Sequence, residues 1–381
     1  MRAPYKIILV GPGAVGQAVL REVIRLPEFE LVGVMGFSER KDGLDVGELL
    51  GGDPVGVRIT RDQQAILDME ADCVIWCGYF PMPHIVETMD RLVIQILESG
   101  KNVVSSTCYH YPHIHDTAYV GKFEDACEKG NSSLHGTGEN PGFWLSRVAM
   151  TLTGLCNEVE QIQVDEYYDM AHTGSQKMWN AASYGVTVDE AKKNIGFQEA
   201  WKKHYFFEEL NLASLSLYGK PLEKFEFHTD YHLTDEDFEM SVASGHQFDM
   251  MFSAGTVKAQ THHFQGFVDG EPKLYSRAKW YFTREQSPFG DKDCVWDIEI
   301  EGRPTSVKAS IALKASFRDN LFYRPGDDTN PEYYATAVTL VQAVPVVCGH
   351  EPGIVYPSIF ASCAPDLRLL ETRKSIVDGV A

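Results

Sequence analysis

A glycine-rich run near the start of the chain has the spacing of a phosphate-binding loop. The run Gly11-Pro12-Gly13-Ala14-Val15-Gly16 lies between a predicted strand, 6–10, and a predicted helix, 15–26. In this context the first glycine permits a tight turn, the second lets the backbone approach a pyrophosphate, and the third lets helix and strand pack. The N–H groups at the helix start then hold the anion. The run predicts a dinucleotide site, and a tight turn without ligand is the alternative.

The residues after the second predicted strand indicate which dinucleotide is bound. An NAD site places a carboxylate at the end of this strand to hold the ribose 2′-hydroxyl. Here that position falls near Gly36, and the hydroxyl and cationic side chains that follow suit a 2′-phosphate. We therefore expect NADP(H); NAD is possible if Glu39 holds the ribose. The candidate cofactor contacts are Gly11, Gly13, Ala14, Val15, Gly16, Ser38, Arg40, Lys41, Cys77 and Gly78.

The hydrophobic pattern divides the chain into two differently organised parts. Up to residue 137, short apolar strands alternate with helices, which is typical of a parallel sheet covered on both faces. From residue 138 to 331, a long strand at 158–168 and alternating strands between 222 and 317 predict a half-solvated, mostly antiparallel sheet. The expected class is α/β, with a parallel sheet in the first part and a mostly antiparallel sheet in the second.

The last predicted helix spans 333–344 and is expected to end at Pro345, because proline interrupts helix hydrogen bonding. We expect it to return to the first part. The predicted domains are therefore 1–137 with 332–381 packed back on it, and 138–331.

The composition excludes several classes of protein. Among 381 residues, 34 Lys and Arg against 54 Asp and Glu give a net charge of −20, which repels nucleic acid and anionic lipid. No apolar run approaches the roughly 20 residues that span a bilayer. The eight cysteines have no framework spacing, so reduced thiols and a cytoplasmic location are expected.

Three separate segments carry a resemblance to a known family. They are Gly136-Thr137-Gly138-Glu139-Asn140-Pro141-Gly142-Phe143, Asp45-Val46-Gly47-Glu48-Leu49, and the stretch from Thr336 to Ile354. They resemble the GTGxNPGF, DVGEL and C-terminal segments of dihydrodipicolinate-reductase-like NAD(P)-dependent oxidoreductases. That group includes 2,4-diaminopentanoate dehydrogenase and the native amine dehydrogenases. The resemblance extends from about residue 5 to residue 360.

The resemblance implies a fold and a reaction. The fold is a Rossmann domain and an α+β domain whose open mixed sheet forms a homo-oligomer, expected to be a dimer. The reaction is hydride transfer between nicotinamide and a C–N centre, of amine dehydrogenase or imine reductase type. Separately, the many aromatic residues of the second part could line a pocket for a small or bulky apolar substrate. In the family the Asn-Pro-Gly-Phe loop lies beside the nicotinamide, which adds Asn140, Pro141 and Phe143 to the cofactor contacts.

Two departures from the family pattern leave the substrate open. The paired-histidine motif HHxxKxD is absent from the comparable stretch, 168–175, so the lysine-pathway reductase itself is not expected. The glutamate that amine dehydrogenases carry after the strand equivalent to 102–105 is absent from 106–112. Two alternatives are a ketone or alcohol dehydrogenase with the same cofactor and a non-catalytic nucleotide-binding sensor.

Five side chains are candidates for proton transfer, because reduction of C=N or C=O leaves charge on the heteroatom. Tyr109 and His110 follow a predicted strand at the ligand-binding edge of the sheet, where a phenol or an imidazolium could donate. The alternative is that Tyr109 packs and His110 is exposed. Glu139 could supply the missing carboxylate or form a peripheral salt bridge. Tyr168 and His172 end the long strand and could face a substrate cleft.

Histidine spacing gives no firm metal site. The three histidines of 110–115 are loosely spaced without a patterned carboxylate or thiol, and nicotinamide hydride transfer needs no metal, so we expect none. The adjacent pair His262 and His263 points to opposite faces of a strand, so at most one can line a pocket.

Overall fold

The computed structural model describes residues 3–78, 83–173, 176–194, 196–242, 248–314 and 329–356. The chain forms two compact units. The first comprises the described residues up to Phe143 together with 329–356, and the second begins at Trp144. The domain boundary predicted after residue 137 stays a prediction.

The first unit is built on a seven-stranded sheet in which every neighbouring pair is parallel. Its strands, numbered in chain order, are β1 Tyr5–Val10, β2 Phe29–Met35, β3 Ile59–Thr60, β4 Cys73–Trp76, β5 Asn102–Ser105, β6 Ser133–Gly136 and β15 Gly353–Ile354. Their spatial order is β15-β6-β5-β4-β1-β2-β3. The helices are α1 Ala14–Arg25, α2 Val46–Leu49, α3 Gln63–Asp68, α4 Pro83–Glu98, α5 Thr117–Gly130 and α11 Pro331–Cys348.

The last helix packs against this sheet and is longer than the sequence predicts. Leu340 and Val344 of α11 are buried in one core cluster with Leu9 and Val19. The helix continues through Pro345 to Cys348, so its predicted end at Pro345 is wrong. A proline removes one backbone hydrogen bond, and burial of Val347 beyond it holds the final turn in place.

The second unit is built on a six-stranded mixed sheet, as predicted, with a separate two-stranded antiparallel sheet. Its strands are β7 Glu158–Asp169, β8 Lys224–Leu233, β9 Phe238–Val242, β10 Phe248–Phe252, β11 Val257–Val268, β12 Glu271–Tyr281, β13 Val295–Arg303 and β14 Val307–Ala312. Its helices are α6 Met150–Leu152, α7 Gln176–Ala181, α8 Val188–Lys193, α9 Gly196–Trp201 and α10 Phe207–Tyr218. The sheet order is β14-β13-β7-β12-β11-β8; β7 and β12 pair in parallel and the other neighbours are antiparallel.

The two faces of the second sheet differ in polarity. Trp296 and Ile298 of β13 are buried on one face, as the alternation of the strand requires. On the other face, Asp165 accepts two hydrogen bonds from the Arg277 guanidinium, both 2.6 Å long, and one of 2.8 Å from Lys279. This face therefore carries ion pairs between strands.

In the described residues, no helix is both long and apolar enough to cross a lipid bilayer.

Candidate nucleotide-binding site

The glycine loop joins β1 to α1 at the carboxyl edge of the parallel sheet. Gly11 has a φ of +87°, and a Cβ there would lie 2.5 Å from the Cα of Gly78. A Cβ on Gly16 would lie 2.2 Å from the carbonyl oxygen of Gly11. Among the residues that the structure describes, no heavy atom lies within 4 Å of a Cβ placed on Gly13. Gly11 and Gly16 are therefore required for packing, whereas the open side of Gly13 is available to a ligand.

The start of α1 is suited to an anion. The helix has no side-chain cap and no acidic residue in its first turn. The N–H of Gln17 donates to Gly13, so the N–H groups of Ala14, Val15 and Gly16 precede the first intrahelical bond. These groups and the positive end of the helix dipole can hold a pyrophosphate.

A cleft of about 220 Å³ lies over this loop in the first unit. It is lined by Gly11, Pro12, Gly13, Gly36, Phe37, Ser38, Lys41, Cys77 and Gly78. The structure thus brings together six of the predicted cofactor contacts. It adds Pro12, Gly36 and Phe37, which were not predicted as contacts. Of those, Phe37 could have been found as an aromatic residue directly after the second strand. The ring centroids of Phe37 and Trp76 lie 6.5 Å apart.

At the end of β2 the chain places a cationic side chain and no carboxylate beside the cleft. A Cβ on Gly36 would lie 2.9 Å from Cγ2 of Ile59, so no carboxylate fits there without displacing Ile59. Lys41 lines the cleft, and its ammonium donates to the carbonyl oxygen of Pro12. Burial, with a smaller contribution from Arg40, lowers the pKa of Lys41. Arg40 itself is exposed.

The loops after β5 and β6 pack closely at the same edge of the sheet. A Cβ on Gly136 would lie 2.3 Å from the carbonyl carbon of Tyr109, and the N–H of Thr137 donates to Ser105. The Tyr109 ring is buried, and its hydroxyl donates to Asp90 at 2.6 Å. Burial and the Asp90 charge raise the pKa of Tyr109 well above its usual value. The phenol is therefore protonated and directed at Asp90.

His110 is buried rather than exposed, so the alternative that placed it on the surface is wrong. The preceding Cys108 and Tyr109 have φ values of 61° and 64°, a left-handed turn by which the chain changes direction after β5. Burial, with a smaller effect from His135, lowers the pKa of His110 to about 3. At neutral pH it is a neutral imidazole, and the imidazolium considered as a donor is not formed.

The segment from Glu139 to Phe143 follows β6 at the same edge. Glu139 and Pro141 are buried, and the bond between Asn140 and Pro141 is cis. Gly142 has a φ of +117°, and a Cβ there would lie 2.9 Å from the N atom of Gly138. The segment therefore needs its glycines to fold tightly, and it buries a carboxyl group within a short loop.

Asp45 of the DVGEL run has a structural role. It is the N-cap of α2, and its carboxylate accepts hydrogen bonds from the N–H groups of Gly47, Val55 and Gly56 at 2.8–3.0 Å. These hydrogen bonds lower the pKa of Asp45, and the bond from Val55 has the largest effect. This carboxylate therefore holds together the loop between β2 and β3.

The other two candidate proton donors belong to the second unit. Tyr168 is buried near the end of β7. His172 follows β7, and its Nε2 lies 2.9 Å from Oδ2 of Asp293, which also accepts from Arg284 at 3.2 Å. The hydrogen bond with Asp293 raises the pKa of His172. Burial opposes the ionisation of Asp293, but its bonds with His172 and Arg284 leave its pKa below the usual value.

We expect the ring of His172 to titrate above the usual 6.5, and Asp293→Asn to lower that pKa. NMR titration of labelled histidine checks both. The pKa of His172 is higher in the folded state than in the unfolded state. The pair therefore stabilises the fold fully when the pH is below the unfolded-state pKa of His172, and this stabilisation is lost as the pH rises through the folded-state pKa. The histidine side chain is 41% exposed, so the effect on stability is small. An unchanged His172 titration in Asp293→Asn would contradict the assignment.

Comparisons with known proteins find similar sequences and a similar fold. Residues 5–109 match the family model of the dihydrodipicolinate reductase N-terminus. The chain is 25% identical over 275 residues to 2,4-diaminopentanoate dehydrogenase of Acetoanaerobium sticklandii, covering 71% of this chain and 74% of that protein. It is 23% identical over 384 residues to an amine dehydrogenase of Streptomyces virginiae, covering 97% and 99%.

A solved structure gives the same result for the fold. The amine dehydrogenase from Mycobacterium smegmatis superposes with a TM-score of 0.73 at 18% identity, covering 93% of this chain and 96% of that one. The resemblance predicted from the sequence is confirmed, as is the α/β class with a Rossmann-type first unit. The matches and the glycine loop together define an NAD(P)-dependent oxidoreductase similar to dihydrodipicolinate reductases and amine dehydrogenases.

Proposed function

We propose that this oxidoreductase uses NADP(H) and transfers a hydride between the nicotinamide and a C–N centre, as an amine dehydrogenase or imine reductase does. The C–N chemistry is supported by the relatives named 2,4-diaminopentanoate dehydrogenase and amine dehydrogenase. The choice of NADP is supported by one observation above the others. Lys41 lines the nucleotide cleft, and the strand end beside it has Gly36 in place of a carboxylate.

Lys41→Ala tests the cofactor preference. We expect it to weaken NADPH binding by about 10- to 100-fold, since a charge-assisted hydrogen bond contributes about 1.5–3 kcal/mol. NADH binding should change little, because NADH has no 2′-phosphate. Calorimetric Kd values for the two coenzymes measure the difference.

The matched control is Lys6→Ala, which removes a lysine paired with Glu70 at the other end of β1. It should leave both Kd values unchanged. Because Lys41 also contacts Pro12, Lys41→Gln separates loss of charge from loss of that contact. NADH binding as tight as NADPH binding in the wild-type protein would overturn the proposal of NADP.

For the proton step we propose Glu139 as the relay in preference to Tyr109. A bound nicotinamide dinucleotide supplies or accepts the hydride, and the protein must then move a proton at the heteroatom. The hydroxyl of Tyr109 already donates a hydrogen bond to Asp90, and His110 is neutral. Glu139 is a buried carboxyl in the loop that the family resemblance assigns to the nicotinamide. His172 and Tyr168 stay secondary proposals.

Substrate screens separate this proposal from its rivals. Oxidation of amines with NADP⁺, or reduction of imines with NADPH, should exceed turnover of alcohols and ketones. Turnover of alcohols alone would favour a ketone or alcohol dehydrogenase. Tight NADPH binding without turnover of any amine, imine, alcohol or ketone would favour a non-catalytic sensor.

We also propose a homodimer formed through the second sheet. The support is the open sheet itself, whose polar face carries Asp165, Arg277 and Lys279 as cross-strand ion pairs. Light scattering should give twice the 42.7 kDa of one chain. A mass of one chain would contradict the dimer.

A further inference from the structure

Two histidines and an aspartate meet on the polar face of the second sheet, the face that carries the ion pairs of Asp165. His228 on β8 lies directly opposite His263 on β11. Asp230 lies two residues along β8 and therefore projects from the same face. Nε2 of His263 is 2.9 Å from Oδ2 of Asp230, and the two imidazole rings stack with centroids 4.2 Å apart. The cluster belongs to neither the nucleotide cleft nor the candidate proton donors.

The cluster shares the polar face of the sheet with Asp165 and Arg277, the face through which we propose the homodimer, and in a single chain this face is open. β8 is the edge strand of the sheet. His228 and Asp230 are exposed and His263 is half-buried. His262, on the opposite face, is fully buried and bonds to Thr229, so the strand alternation separates a core histidine from a surface one.

We propose that His228, Asp230 and His263 form a binding site for a divalent late first-row transition metal, of which Zn²⁺ is the example. Each residue offers one ligand atom, and these atoms all lie within 4.8 Å of one another. In a tetrahedral site with bonds of about 2.0–2.2 Å, ligand atoms lie about 3.3 Å apart. Binding therefore requires the side chains to rotate so that their ligand atoms move closer together.

The donor set selects the class of ion. Two imidazole nitrogens and one carboxylate oxygen suit Zn²⁺, Co²⁺, Ni²⁺ and Cu²⁺, whereas Mg²⁺ and Ca²⁺ prefer oxygen ligands. Three protein ligands leave at least one position for water. Arg277 lies opposite His263 on β12, but its charge is countered by two 2.6 Å bonds to Asp165. The aspartate in the cluster compensates part of the charge of the ion.

The test uses the untagged full chain and Zn²⁺ alone. We expect calorimetry to show one Zn²⁺ per chain, and Co²⁺ to give a visible absorption spectrum when bound. His228→Ala and His263→Ala should each weaken Zn²⁺ binding at least about tenfold. His350→Ala is the matched control, because His350 is exposed in the first unit and bonds to the carbonyl oxygen of Glu351.

The outcomes decide the proposal without reference to enzyme activity. His228→Asn, which keeps a polar side chain on the edge strand, provides a second variant if His228→Ala misfolds. Zn²⁺ affinity that is unchanged in the variants at both histidines would overturn the site. So would a ratio of one ion per two chains, or a loss of binding in His350→Ala instead.

Discussion

Gly13→Ala is expected to leave the fold intact and to remove most dinucleotide binding. A Cβ at this position meets no atom of the described residues within 4 Å, and the backbone φ of −82° is allowed for alanine. Stability should be equal or higher by about 0.4–1 kcal/mol, because alanine restricts the unfolded chain. The same Cβ occupies the space that a pyrophosphate must approach. NADPH affinity should fall about 100-fold, equivalent to about 2.7 kcal/mol.

Gly16→Ala is the control for Gly13→Ala, because Gly16 is required for packing. Its Cβ would lie 2.2 Å from the carbonyl oxygen of Gly11, so this variant should unfold at a lower temperature. Thermal unfolding and calorimetry on both variants separate a ligand role from a packing role. If Gly13→Ala bound NADPH as tightly as the wild-type protein does, the loop would be a turn without a ligand.

Glu139→Gln carries the second large expected effect. If the carboxyl moves the proton, kcat should fall by roughly 10²–10⁴, the usual contribution of a positioned acid or base. NADPH binding should not change, because the amide keeps the size of the side chain. Steady-state kinetics with the best amine or imine substrate, together with a calorimetric Kd, measure the two quantities.

Glu128→Gln is the matched control for that experiment, since Glu128 is exposed on α5. It should leave kcat unchanged. Tyr109→Phe tests the competing relay, and we expect only a modest effect because the phenol is held by Asp90. An unchanged kcat in Glu139→Gln, with a large loss in Tyr109→Phe, would reverse the assignment.

The parts of the fold that depend on local pattern were predictable. The apolar run of β1 followed by three spaced glycines defines a strand, a turn and a helix within a few residues, and the structure has all three. The alternation of Trp296 and Ile298 with acidic neighbours likewise places β13 half-buried in a sheet. In both cases the spacing of side chains along one element carries the information.

Features that depend on backbone conformation or on distant partners were not predictable. Nothing in the residue types of Cys108 and Tyr109 indicates a left-handed turn, so the burial of His110 could not be foreseen. Lys41 enters the cleft because a short helical turn follows β2, and that turn sets the direction of each side chain. His228 and His263 become neighbours only through the register of β8 with β11.

Dinucleotide binding at the glycine loop is tested directly by a calorimetric titration of the wild-type chain with NADPH and with NADH. If the cleft over Gly11–Gly16 binds a dinucleotide, NADPH should bind saturably at one site per chain and more tightly than NADH. The absence of heat and of any fluorescence change with both coenzymes would show that the loop binds neither dinucleotide.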